Sequence, residues 1–277
     1  AKSGQIQPPS VAGPLVGAPQ AESQAQIASQ APVEAPAADE EFAHSLERSM
    51  NYEDLRRRLE PLAEKNDSVA LRMLGEVYEY CAGFSLAPES ARETTDALAK
   101  VRPENAARLS EIEGRVKGRC RGLKGGVPIP IDEVELSWGL AARAGDPAAM
   151  ARMAARTNEL QDGVLQTVAA KAIESGDPRA LFELGEAMRR HGAPSNVPEL
   201  DSGRVSAYAL QIAACRRSPG MCGPTGPLME LRCLHMGACN YSSFEDMVRR
   251  GVMSQASLAE LDRQVSVANQ MITRRGK

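Results

Sequence analysis

One turn, written three times, constrains this chain more than any other feature. The segment Ala144-Gly145-Asp146-Pro147-Ala148-Ala149-Met150 returns 31 residues on as Ser175-Gly176-Asp177-Pro178-Arg179-Ala180-Leu181. A weaker copy, Lys65-Asn66-Asp67-Ser68-Val69-Ala70-Leu71, lies 79 residues upstream of the first. Gly145 and Gly176 stand where a helix must stop, because glycine enters the left-handed region without a Cβ clash. Asp146 and Asp177 follow as N-caps for the next helix, and Pro147 and Pro178 take the first helical position, where a missing N–H costs nothing. In the weaker copy Asn66 replaces the glycine and Ser68 the proline.

The apolar residues around these turns fall on shared offsets. Ahead of them Leu55, Leu59 and Leu62 match Val134, Trp138 and Ala141, then Leu165, Ala169 and Ala172. Behind them Leu71, Leu74 and Gly75 match Met150, Met153 and Ala154, then Leu181, Leu184 and Gly185. Each unit is thus a helix–turn–helix, and units repeating in this way stack as a right-handed array of helix pairs. The small residue in the third place admits a close neighbour.

Small residues, then G-D-P, then A-x-x-x-L-G: this pattern resembles the Sel1-like repeats, relatives of the tetratricopeptide repeats. It covers roughly 52–82, 132–160 and 163–191, with a degenerate unit over 205–239. The Tyr-Gly pair that usually closes each second helix is poorly kept, and the 79-residue interval implies an insertion over 83–131. The resemblance implies an all-α solenoid used for binding, generally without catalytic residues. Cysteine pairs are similar to those of the secreted cysteine-rich members, some of which are linked to penicillin binding.

The remaining segments add context. Residues 1–38 hold six prolines, six glutamines, ten alanines and no aromatic, which predicts a disordered tether with an end-to-end distance of about 35 Å. Ala1 in place of Met is read as removal of a signal peptide or anchor, or as trimming. The helical repeat domain is expected over 39–277. Pro61 should kink the second apolar helix or delay its last turn. The insertion should carry a weak helix over 88–100 and a stronger one opened by Pro103, with Leu109, Ile112, Val116 and Cys120 on one face. A short helix is expected near Leu228–Met236. Capping helices follow over 242–277, with Ser242 and Glu245 as a capping box and Gly251 as a stop.

Chemistry-bearing residues are few. Net charge is −3, so nucleic acid is not indicated, and no apolar run reaches membrane-spanning length. No Ser-His-Asp order, H-E-x-x-H, P-loop or dinucleotide fingerprint appears, so no enzyme activity and no cofactor is expected. The six cysteines Cys81, Cys120, Cys215, Cys222, Cys233 and Cys239 allow fifteen pairings. Neighbour pairing is favoured, because the glycine-bearing loops after Cys215 and Cys233 fold back to bonding distance. Zinc, using His235 beside the last four cysteines, is weighed against by the absent C-x₂₋₄-C knuckle, and buried free thiols are the third option. An even cysteine count with export places the chain in the periplasm or another extracytoplasmic space.

Arg115, Lys117, Arg119, Arg121 and Lys124 put five cations in ten residues with no acid among them. Helix-end electrostatics and pairing with Glu111 and Glu113 account for part of this. The rest reads as a partner-binding tip. The functional expectation is a non-catalytic protein–protein scaffold of the bacterial cell envelope with an envelope protein as partner. The alternative is binding or hydrolysis of a β-lactam or peptidoglycan-derived ligand.

Overall fold

A computed structural model describes residues 45–158, 160–161, 163–200 and 203–275, so the expected tether over 1–38 lies outside the described residues. Among these residues the protein is all-α, with helices packed mostly on their sequence neighbours and three disulfides. In order they are α1 (Ser45–Arg48), α2 (Tyr52–Ala63), α3 (Ser68–Leu86), α4 (Pro88–Val101) and α5 (Ala106–Cys120). Next come α6 (Ile131–Arg143), α7 (Pro147–Arg156), α8 (Val164–Ser175), α9 (Pro178–His191) and α10 (Arg204–Arg217). The last are α11 (Pro219–Cys222), α12 (Pro227–Met236), α13 (Phe244–Met247) and α14 (Leu258–Arg275).

The three turns share their stereochemistry. Asn66, Gly145 and Gly176 have φ of 63°, 93° and 63°. Asp67, Asp146 and Asp177 then accept from Ala70 N, Ala149 N and Arg179 N at 2.9, 2.7 and 2.8 Å. The helix breaks are therefore set locally, by a left-handed residue followed by a carboxylate cap.

Close approach occurs at two of the small third positions. A Cβ on Gly75 would sit 3.1 Å from the indole of Trp138, and one on Gly185 would sit 2.4 Å from Gln211 Cγ and 2.8 Å from the Ala207 carbonyl. These glycines seat α3 on α6 and α9 on α10.

The core comes in two parts. Leu55, Leu59, Leu74, Val77, Leu109, Ile112, Val116 and Trp138 fill one, from α2, α3, α5 and α6. Leu165, Ala169, Leu181, Leu184, Leu210, Val265 and Ile272 fill the other, from α8, α9, α10 and α14. The short helix α7 divides between them, Ala149 entering the first and Ala148, Ala151 and Ala154 the second. Every residue of α10 from Ser206 to Cys215 is buried, so this helix is wrapped on all sides.

Pro61 lies inside its helix, and two other local expectations are corrected. The helix α2 runs through Pro61 and ends at Ala63. The capping box is shifted by one residue: Ser243 Oγ accepts from Asp246 N, and the Asp246 carboxylate accepts from Ser242 N at 2.9 Å. Gly251 does not stop its helix, because a π-turn over Val248–Val252 carries the chain past it, with Tyr241 Oη close against the glycine.

Candidate functional site

The cysteines join as neighbours: Cys81–Cys120, Cys215–Cys222 and Cys233–Cys239. The first ties the end of α3 to the end of α5. The second links α10 to α11, and the third folds the chain back across Gly237, whose φ is 65°. Three disulfides point to an oxidising environment, and no described helix is long and apolar enough to cross a membrane.

The basic cluster does not form one free cationic tip. Arg119 is only 5% exposed, and its NH1 donates to Glu230 Oε2 at 2.6 Å and to Tyr80 Oη at 3.1 Å. Arg115 Nε donates to Glu230 Oε1 at 2.8 Å, and its NH1 pairs with Glu111. Lys117 pairs with Glu113 and Lys124 with Glu133. Arg121 stays exposed. The sequence run looked unpaired because the decisive acids, Glu133 and Glu230, lie 9 and 111 residues from their cations.

Glu230 is the centre of this cluster. It is fully buried, and besides the two arginines it accepts from Tyr80 Oη at 2.5 Å. Burial first, then the charge of Glu230, pushes the Tyr80 phenol upward, so it stays a neutral donor. The result nails α12 to α3 and α5. The same helix also sends Arg232 to Glu186 on α9 at 3.2 Å, while Asn105 Nδ2 donates to the Gly237 carbonyl at 3.1 Å.

A second polar assembly runs across the second helices of the three turn units. From one end, Arg156 pairs with Glu135 and lies 3.7 Å from Glu79, and Arg152 also pairs with Glu79. Glu183 sits between Arg152 at 3.6 Å and Arg179 at 3.4 Å. Arg179 Nε lies 2.9 Å from Glu76, which accepts from Arg72 at 3.1 Å. Arg72 ends the row, 3.0 Å from Asp146 and 3.7 Å from Asp177, the caps of α7 and α9. Acids and bases alternate throughout, so each second helix is cross-linked electrostatically to the next.

The capping aspartates therefore have two tasks, closing a helix and receiving Arg72. Arg152 also lies over the buried Trp138 ring, 4.6 Å from its centroid. Burial acts against the charge on Glu76, but Arg179 and Arg72 still hold its carboxyl below the usual range. Glu183 behaves oppositely, and burial raises it despite Arg179 and Arg152. Sequence reading missed this row because touching members are separated by up to five helices, as between α3 and α9. A trace was present in Arg72-x₃-Glu76 and Arg179-x₃-Glu183, which place opposite charges one turn apart behind the same kind of cap.

A shallow hollow of about 150 Å³ lies beside α4, lined by Phe84, Ala87, Ala91, Thr95, Leu234 and His235. Among the described residues no group of three or more His, Cys, Asp or Glu side chains is arranged to hold a metal. No protein-family model, curated protein or solved structure gives a significant match to this chain.

Proposed function

We propose that the protein is a non-catalytic binding scaffold of the bacterial cell envelope, built as an α-solenoid of Sel1-like, tetratricopeptide-like repeats. The turn units with their paired helices would be the repeats, 83–131 an insertion, and 242–277 a cap. The observation that carries this reading is the common stereochemistry of the three turns, each a left-handed residue and a capping aspartate, with Arg72 reaching the caps of both later units. A repeated turn with a shared electrostatic row is how a stacked array keeps register while leaving its outer residues free to vary. The disulfides fit an exported protein, since such bonds persist in oxidising compartments and are rare in the reducing cytosol.

The partner surface proposed here is not the basic run as a whole, because four of its five cations already hold carboxylates. The test is affinity capture from envelope extracts with the full chain, followed by binding of the purified partner to the purified protein. A saturable one-to-one complex supports the scaffold. Covalent labelling by a fluorescent penicillin, competed by unlabelled penicillin, would overturn it in favour of β-lactam chemistry.

A further inference from the structure

The alternating row contains one carboxylate that its arginines do not satisfy. Glu183 is 3% exposed on α9, yet it accepts no hydrogen bond among the described residues. Its contacts are ionic only, at 3.4 Å to Arg179 and 3.6 Å to Arg152. Both arginines have a nearer acid: Glu76 lies 2.9 Å from Arg179, and Glu79 is the close partner of Arg152. The row as a whole holds six carboxylates, of Glu76, Glu79, Glu135, Asp146, Asp177 and Glu183, against four guanidiniums, of Arg72, Arg152, Arg156 and Arg179. Negative charge is in excess, and although Glu79, Glu135 and Asp177 are partly exposed to solvent, Glu183 is not; a buried carboxylate lacking donors is the cheapest place to put a proton.

We propose that Glu183 is a proton-taking group that makes the junction of α9 with α3 and α7 pH-sensitive, tightening as the surroundings acidify. The groups facing it are Arg179 and Glu186 on its own helix, Glu76 and Glu79 from α3, and Arg152 from α7. Arg232 of α12 reaches this neighbourhood through Glu186. Burial also raises the Asp146 carboxyl, but Asp146 has donors that Glu183 lacks. Asp146 accepts from Ala149 N at 2.7 Å and from Arg72 Nε at 3.0 Å, two bonds that favour its charged form.

The sign of the effect follows from linkage. The folded state binds a proton at Glu183 that the unfolded chain gives up near the ordinary glutamate value of about 4.3. The cost of the buried charge is therefore greatest at neutral pH, begins to fall as pH drops through the folded-state value, and is gone only below about 4.3. Neighbouring Glu76, which is held below its usual range, contributes in the opposite sense and only at lower pH.

The experiment compares the full disulfide-bonded protein with Glu183→Gln and Glu186→Gln by calorimetry from pH 7.5 to pH 5, with carbon NMR of the Glu183 carboxyl. Glutamine keeps the shape and fixes a neutral state. Glu183→Gln should melt above the natural protein at pH 7.5, with the gap narrowing as pH falls. The carboxyl resonance should titrate above the ordinary value. Glu186→Gln should melt lower, because Glu186 accepts from Gln211 and Arg232. A Glu183→Gln variant that melts below the natural protein at pH 7.5, or a carboxyl that titrates at or below the ordinary value, would overturn the proposal.

Discussion

Replacing Glu230 by alanine should be among the most damaging single changes in the protein. The carboxylate is fully buried and receives Tyr80 Oη at 2.5 Å, Arg119 NH1 at 2.6 Å and Arg115 Nε at 2.8 Å. Charge-assisted bonds contribute roughly 1.5–3 kcal/mol each, and three together give an upper bound that shared geometry never reaches. The better guide is the cost of stranding a buried partner, about 3–5 kcal/mol, since Arg119 has nowhere to turn for water. Arg115 is less exposed to that penalty, because it retains Glu111 at the surface. A loss of about 4 kcal/mol in a domain of this size lowers Tm by about 8–16 °C. The assay is thermal unfolding of the oxidised protein at pH 7, together with the double variant Glu230→Leu, Arg119→Leu. If the penalty is a stranded charge, the double variant recovers much of the loss, because leucines can fill the space both side chains vacate. An alanine variant within about 1 kcal/mol of the natural protein, or a double variant worse than the sum of the singles, would refute this account.

Other outcomes follow from equally local geometry. Gly185→Ala should cost about 2–3 kcal/mol, since the new Cβ meets a backbone carbonyl at 2.8 Å, whereas Gly83→Ala, in α3 with nothing within 4 Å, should gain about 0.5–1 kcal/mol; urea midpoints separate the two. Removing Cys215–Cys222 by a double serine change should lose about 2.5 kcal/mol, and removing Cys81–Cys120 about 4 kcal/mol, measured by denaturant titration. Hydrogen bonds from Arg56 hold the Glu53 carboxyl at about 2, well below its unfolded value. Its contribution is thus present above about pH 4.3 and lost as pH falls toward 2, so Glu53→Gln should flatten the acid limb of the Tm profile without changing its slope near neutrality.

What could be seen in the sequence was whatever the chain settles within a few residues. The turns at Asn66, Gly145 and Gly176, with their aspartate caps, are local chemistry, and so were readable. So were the helix faces of α3, α6 and α9, and the burial of Trp138 follows from its place on one of them. Where two solutions lay within one residue, as for Ser242 and Ser243, spacing alone chose the wrong serine, because side-chain hydrogen bonds to Asp246 decide between them. The basic run failed for another reason. Arg119 looks like any helix-end cation until α12 brings Glu230 to it from 111 residues away. The row from Glu135 to Asp177 has the same character: only Arg72 with Glu76 and Arg179 with Glu183 are one turn apart in sequence, and the pairs that link one helix to another carry no signature apart from the stacking that joins them.

The divided loyalty of α7 has a consequence for how this chain can be taken apart. Its adjacent alanines Ala148 and Ala149 serve different cores, one on each side of a helix only ten residues long. A fragment ending before Pro147 strips Trp138 and Ala141 of a wall. A fragment beginning after Arg156 does the same to Leu181 and Leu184. There is thus no clean seam at which inheritance or engineering could sever the two parts, and a fragment that omits α7 should recover its fold only when a complementary piece supplies that helix.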